Sequence, residues 1–217
     1  MVERSTRRHK MVTVRLFFEG GANMVTDNTN AITMDNTARL RESFNTLLNS
    51  GVERERVRIE ATPAGSITTL VKKREDGALY LMDLDGPKTL KTTRIADNKL
   101  EDIQDDLFFM VQRMEAWILS QPDKIEKCFA DKKSKPDAIA DDNKLQVKHP
   151  EDIDKPDEAL KVILKRYFTQ IKNGKEKKLD YGKLKHAPDL IELLEITPLR
   201  TTFEDVDKLL TKVGKMI

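Results

Sequence analysis

Apolar positions recur at two different periods along this chain, and the period sets the element expected at each place. From Met11 to Phe18 β-branched and aromatic residues follow one another closely, which predicts a buried strand. Gly21 to Asn36 is rich in Asn and Thr and reads as a long loop. Asp35 or Asn36 can cap a helix whose apolar residues Leu40, Phe44, Leu47 and Leu48 fall on one face, with a stop near Gly51. Val57 and Ile59 alternate with charges in a second strand that ends before Pro63. Gly65 and Ser66 open a short helix through Ile67, Leu70 and Val71, and after the Asp76-Gly77 turn a third strand runs from Ala78 to Asp85.

Leu107 to Val111 predicts a fourth strand, and Arg113 to Phe129 a helix in which Pro122 marks a break or a new first turn. Residues 130 to 156 are mostly Lys, Asp and Pro and read as a solvated excursion. An amphipathic stripe follows at Ala159, Leu160, Ile163, Leu164, Tyr167, Phe168 and Ile171. Two shorter helices, Ala187 to Ile196 and Phe203 to Gly214, close the chain. Strand and helix alternate through the first half, the signature of a doubly wound α/β unit with a largely parallel sheet. The expected division is an α/β core over 1–129, the excursion over 130–156, and a helical region over 157–217 packed on the core.

Composition narrows the chemistry. With 217 residues the chain can bury a sizeable core, and 39 basic against 37 acidic residues leave no global field to steer a nucleic acid. A local basic stretch, Lys172 to Lys185, is either a solvated loop between helices or a phosphate contact. A single cysteine, Cys128, excludes an intramolecular disulfide and thiolate metal clusters, and reads as a packed small hydrophobe. No apolar run reaches the ~20 residues of a membrane span, so no membrane partner and a cytoplasmic location are expected. His9, His149 and His186 are too spread for a zinc hydrolase, and no P-loop, nucleophile-elbow or dinucleotide fingerprint occurs.

Twice an apolar strand runs into acid and glycine: Glu19-Gly20 after the first, and Asp83-Leu84-Asp85-Gly86 at the end of the third. Side chains alternate along a strand, so Asp83 and Asp85 point the same way. Two like charges that close raise a pKa unless a cation intervenes, and hard oxygen ligands with open positions suit Mg²⁺ or Mn²⁺ beside a phosphate. Gly20 and Gly86, without a Cβ, would let a phosphate backbone approach. In a doubly wound sheet the ligand crevice lies at the carboxyl ends of the strands, where all three acids can meet. Trp117, among Met114 and Ile118, reads as a core residue; by spacing, Glu115 is a solvent-facing helix position and His186 a polar turn or helix cap.

"FFEGG" and "LMDLDG" resemble the Toprim domain of type IA topoisomerases, primases and overcoming-lysogenization-defect nucleases, where a glutamate after the first strand and a later D-x-D hold Mg²⁺. "FFMVQRMEAWILSQPDKIEKCF" and "DYGKLKHAPDLIELLEITPLR" resemble a bacterial family of unknown function with a Toprim-like core, often encoded beside an ABC- or SMC-type ATPase and linked to phage defence. The resemblance implies Glu19, Asp83 and Asp85 as metal-binding acids. Glu115 falls on one motif of that family and Lys183 and His186 on a second, where they could contact phosphate or assist proton transfer; Glu115 and His186 are candidate catalytic residues, and Lys183 and Lys185 candidate phosphate contacts. Toprim proteins often carry a cation soon after the glutamate; here that stretch has none, and Lys88 is the expected substitute.

The expected function is Mg²⁺-dependent hydrolysis of DNA or RNA by an effector subunit that works with an ATPase, with homo-oligomerisation left open. Alternatives are a Toprim-like interaction module without turnover, and a small-molecule phosphohydrolase at the same acids.

Overall fold

A computed structural model describes residues 11–20, 31–52, 57–64 and 75–216. Four strands, β1 (Val12–Phe18), β2 (Val57–Pro63), β3 (Leu79–Asp83) and β4 (Leu107–Met110), form one sheet in the order β2-β1-β3-β4, every pair parallel. The architecture is α/β, a parallel sheet flanked by helices, consistent with a Toprim-like doubly wound fold.

The burial pattern explains the sheet. In β2 Val57, Ile59 and Ala61 are buried while Arg58 and Glu60 are exposed, the alternation of an edge strand with one wet face. In β3 and β4 every residue is buried, because both faces are covered. Leu79 and Leu81 enter the larger core, Tyr80 and Met82 the smaller one on the opposite face. The larger core takes Leu40, Phe44, Leu47 and Leu48 from helix α1 (Ala31–Asn49). The smaller is closed by α2 (Lys91–Asp97) and the 3-10 turn Glu101–Asp106, through Ile95, Leu100 and Ile103.

After β4 the chain forms α3 (Glu115–Leu119) and then α4 (Pro122–Cys128), which starts afresh with Pro122 in its first turn. Trp117 is fully buried between the rings of Phe44 and Phe203, a core residue as its spacing predicts. Residues 130–156 carry three 3-10 turns and drop Ile139 and Ile153 into the core. The chain continues through α5 (Pro156–Tyr167), a two-stranded hairpin of β5 (Thr169–Lys172) and β6 (Lys175–Lys178), then α6 (Lys183–Leu193), α7 (Ile196–Thr202) and α8 (Glu204–Lys215).

Several sequence expectations are corrected. Helix α1 begins at Ala31, so Asp35 and Asn36 lie inside it rather than capping it. Ile171 is 74% exposed on the hairpin and does not extend the stripe of α5. The lysine-rich stretch is not one loop: Lys172 to Lys178 belong to a hairpin, whose Asn173 and Gly174 both take positive φ, 54° and 70°, as a tight two-residue turn requires, and Lys183 and Lys185 stand in the first turn of α6. Helix α6 starts four residues before Ala187, and α7 was not foreseen. The helix expected near Gly65 to Val71 and most of the Gly21 to Asn36 loop lie outside the described residues. Among the described residues no helix is long and apolar enough to cross a membrane.

Candidate active site at the switch point of the sheet

From β1 the chain first adds β2 on one side, then returns to add β3 on the other, so the winding reverses between β1 and β3. A crevice opens outside the carboxyl ends of two strands at such a point. Glu19 follows β1 directly, with its N–H donating to Leu81 O at 2.8 Å, and Asp83 is the last residue of β3. The fold therefore brings these two acids to neighbouring positions at the mouth of one cleft, about 650 Å³ in volume.

Asp85 lies past the end of the strand, so alternation does not place it. Its φ is +55°, left-handed, and its loop zips onto the loop after β4: Asp85 N–H donates to Gln112 O (2.8 Å) and Gln112 N–H to Gly86 O (2.9 Å). Gln112 is left-handed too, at φ 59°. Two non-glycine residues held in this region across paired loops are a feature of functional strand ends.

Each acid has its own environment. Asp83, 6% exposed, accepts from Met114 N–H at the head of α3 (2.9 Å) and from Lys183 Nζ (3.0 Å). Asp85 lies between Arg113 Nε (2.8 Å) and Arg94 Nη2 (3.2 Å), and Arg113 also reaches Asp157 at 2.8 Å. Glu19 has a buried oxygen, Oε2, with no hydrogen-bond partner among the described residues; burial, then the charges of Asp83 and Asp85, push its carboxyl up to about 7. Glu115, 1% exposed, accepts from the Tyr181 hydroxyl at 3.0 Å on one oxygen and leaves the other unpartnered. Burial raises its pKa, opposed by Lys183, and burial followed by the Glu115 charge drives Tyr181 well above its ordinary value. Burial works against the charge of Lys183, yet Asp83 and Glu115 outweigh it and raise its pKa.

Most predicted residues meet here, and several do not. Glu19, Gly20, Asp83, Asp85, Glu115 and Lys183 all line the cleft. Glu115 is thus an inward residue and not the solvent-facing position its spacing suggested. Lys88 pairs instead with Glu204, on α8. Gly86 does not line the cleft; a Cβ there would stand 2.6 Å from Leu90 Cδ1, the tip of an exposed side chain that can turn aside. His186 and Lys185 line a different cavity, with Phe129, Gln170 and Leu179. There His186 Nδ1 accepts from Gly182 N–H at 3.0 Å, tying down the residue that caps α6, and burial, then Lys185, lower its pKa. His149 bonds to Thr202 O, and His9 lies outside the described residues.

Sequence reasoning missed Arg94, Arg113, Tyr181 and Asp157. Arg113 stood within reach, three residues past Met110 at the end of β4, where the strand-end rule would have looked. The model of a family described as a domain of unknown function, DUF4276, matches residues 28–214. The chain belongs to this family. Searches of curated proteins and of solved structures return no match. The DUF4276 match leaves out Glu19 and Gly20 and includes the other residues that line the cleft.

Among the described residues no three His, Cys, Asp or Glu side chains form a ready ligand cluster. The metal-donor atoms facing the cleft are oxygens, and among the described residues Glu19, Glu115 and Asp157 each keep one carboxylate oxygen without a hydrogen-bond partner. Such a set suits a hard cation that takes one or two carboxylates and fills its remaining positions with water and substrate, and does not suit an all-protein cage.

Proposed function

We propose that this chain is a Mg²⁺-dependent phosphodiesterase acting on nucleic acid, with its centre at Glu19, Asp83, Asp85 and Lys183. The observation that carries the reading is Glu19 Oε2, a buried carboxylate oxygen without a hydrogen-bond partner among the described residues, beside the Asp83–Lys183 pair over an open cleft. A buried acid left unsatisfied costs stability, and such groups cluster where chemistry requires them.

Glu19 and Asp83 would hold the ion, which when bound would activate water and offset charge on the phosphate. The chain supplies the rest. Lys183, Arg113 and Arg94 put three cations at the rim, the positive charge that the stretch after Glu19 lacks. The Glu115–Tyr181 pair stands ready to hold or pass a proton beside Lys183. The ATPase partner and the setting in phage defence rest on the sequence resemblance alone.

The test is hydrolysis of labelled DNA and RNA oligonucleotides in Mg²⁺ or Mn²⁺, wild type beside Glu19→Gln and Asp83→Asn. Metal-dependent cleavage lost in both variants supports the reading; cleavage unchanged in either removes it. A second reading, a Toprim-like module without turnover that docks on an ATPase, is favoured by the two arginines that occupy both oxygens of Asp85. Under that reading Asp83→Ala/Asp85→Ala keeps the biological effect, and the catalytic reading requires its loss.

A further inference from the structure

Helix α5 leaves the cleft and enters a second concavity. Glu158 and Lys161 line the cleft, and Val162, Lys165 and Arg166, about one turn on, line a groove of about 500 Å³. The opposite wall is Ser134 and Lys135, and the hairpin closes the end through Thr169 and Lys178, which face each other across its register. The wall is anchored: Ser134 N–H and its hydroxyl both donate to Tyr167 O, at 2.8 and 3.1 Å.

Among the described residues no carboxylate lines this groove. Arg166 is partly neutralised by Asp142 at 2.5 Å and Lys165 by Asp180 at 3.0 Å. Lys135 and Lys178 have no carboxylate partner among the described residues, nor do Lys172, Lys175 and Lys177 on the same exposed hairpin. By contrast Lys88, Lys91 and Lys183, at the carboxyl end of the sheet, each sit on an acid. Lysines and hydroxyls in a concave track, with Val162 the one apolar side chain, match the residue types that contact phosphate and sugar.

We propose that this groove holds the sugar-phosphate backbone of a nucleic-acid strand whose scissile phosphate lies in the cleft. The inference rests on the phosphodiesterase reading and sharpens it, because it makes the substrate a polymer rather than a small phosphoester. A strand would leave the cleft past Lys161 and run along α5 toward the hairpin.

The test is fluorescence anisotropy of a labelled 30-nucleotide single-stranded DNA and RNA in EDTA, with wild type and Lys135→Gln/Lys178→Gln. Two lost phosphate contacts should flatten the slope of log K against log salt by about 1.4, a loss of about 25-fold in affinity at 0.1 M salt. Metal-dependent hydrolysis of bis(p-nitrophenyl) phosphate should stay unchanged in this variant. The proposal is overturned if the variant binds as the wild type does, if the wild type binds neither strand, or if polyglutamate or phosphatidylserine vesicles compete as well as unlabelled oligonucleotide. Because binding is read without metal, groove-dependent binding by a chain that hydrolyses nothing would remove the catalytic reading and leave the groove. Hydrolysis of the small diester without groove-dependent binding would do the reverse.

Discussion

Two cavities share the first turn of α6, and they treat polar groups in opposite ways. Lys183 opens the helix and reaches into the cleft; His186, three residues on, faces the second cavity. In that cavity His186 accepts from Gly182 N–H at its Nδ1, stacks on Tyr181 and meets Phe129 in a T-shaped contact. Cys128 nearby has its thiol pushed up to about 11 by burial and then by Asp189, so it is a poor nucleophile. In the cleft Glu19, Glu115 and Asp157 each keep an oxygen without a hydrogen-bond partner among the described residues, beside the Asp83–Lys183 ion pair. A satisfied buried group holds the fold, whereas an unsatisfied one beside open space marks where a ligand can complete it.

The sharpest way to break this comparison is Lys183→Met against His186→Gln. Removing Lys183 leaves nearly buried Asp83 without its cation, and should lower stability by about 3 kcal/mol and metal-dependent hydrolysis at least about 100-fold. Urea unfolding and an oligonucleotide assay read the two effects.

Glu19→Gln works in the opposite direction on stability. In the metal-free folded chain this carboxyl keeps its proton up to about pH 7, against 4.5 for an ordinary glutamate, so its contribution is fully present below 4.5 and lost as pH rises toward 7. The variant should therefore be more stable than wild type by roughly 2 kcal/mol at pH 8, allowing for partial exposure, and equal to it at pH 4. Thermal melts at the two pH values check the sign.

Tyr181→Phe removes the hydrogen bond that Glu115 accepts from the Tyr181 hydroxyl and should cost about 1–2 kcal/mol, measured by urea unfolding. His186→Gln should have the smallest effect on turnover, within about threefold, with about 1 kcal/mol of stability lost at the head of α6. A His186→Gln variant as inactive as Lys183→Met would erase the distinction between the cavities.

The sheet was legible because its strands are apolar runs bounded by turns, and Glu19 and Asp83 were legible because acid and glycine at strand ends are an uncommon pairing. Asp85 reached the cleft by a left-handed turn rather than by strand alternation. Lys183 meets Asp83 across 100 residues of chain, a contact that no local pattern encodes, and only the motif resemblance pointed to it. Arg113, on the loop after β4, and Arg94, on α2, look like ordinary surface cations until the fold sets both against Asp85. Asn173-Gly174 was readable as a hairpin turn, but the surrounding lysines gave no apolar alternation to mark the strands. Asp35 and Asn36 are good cap residues, yet α1 runs through them because a weak local preference yields to the rest of the helix.

The most direct test of the account is calorimetric titration of Mn²⁺ into the wild type, Glu19→Gln and Asp83→Asn. The account predicts saturable binding in the wild type that is lost in both variants. A wild type that binds no ion, or variants that bind as tightly as it does, would contradict the assignment of the cleft as a metal-dependent centre.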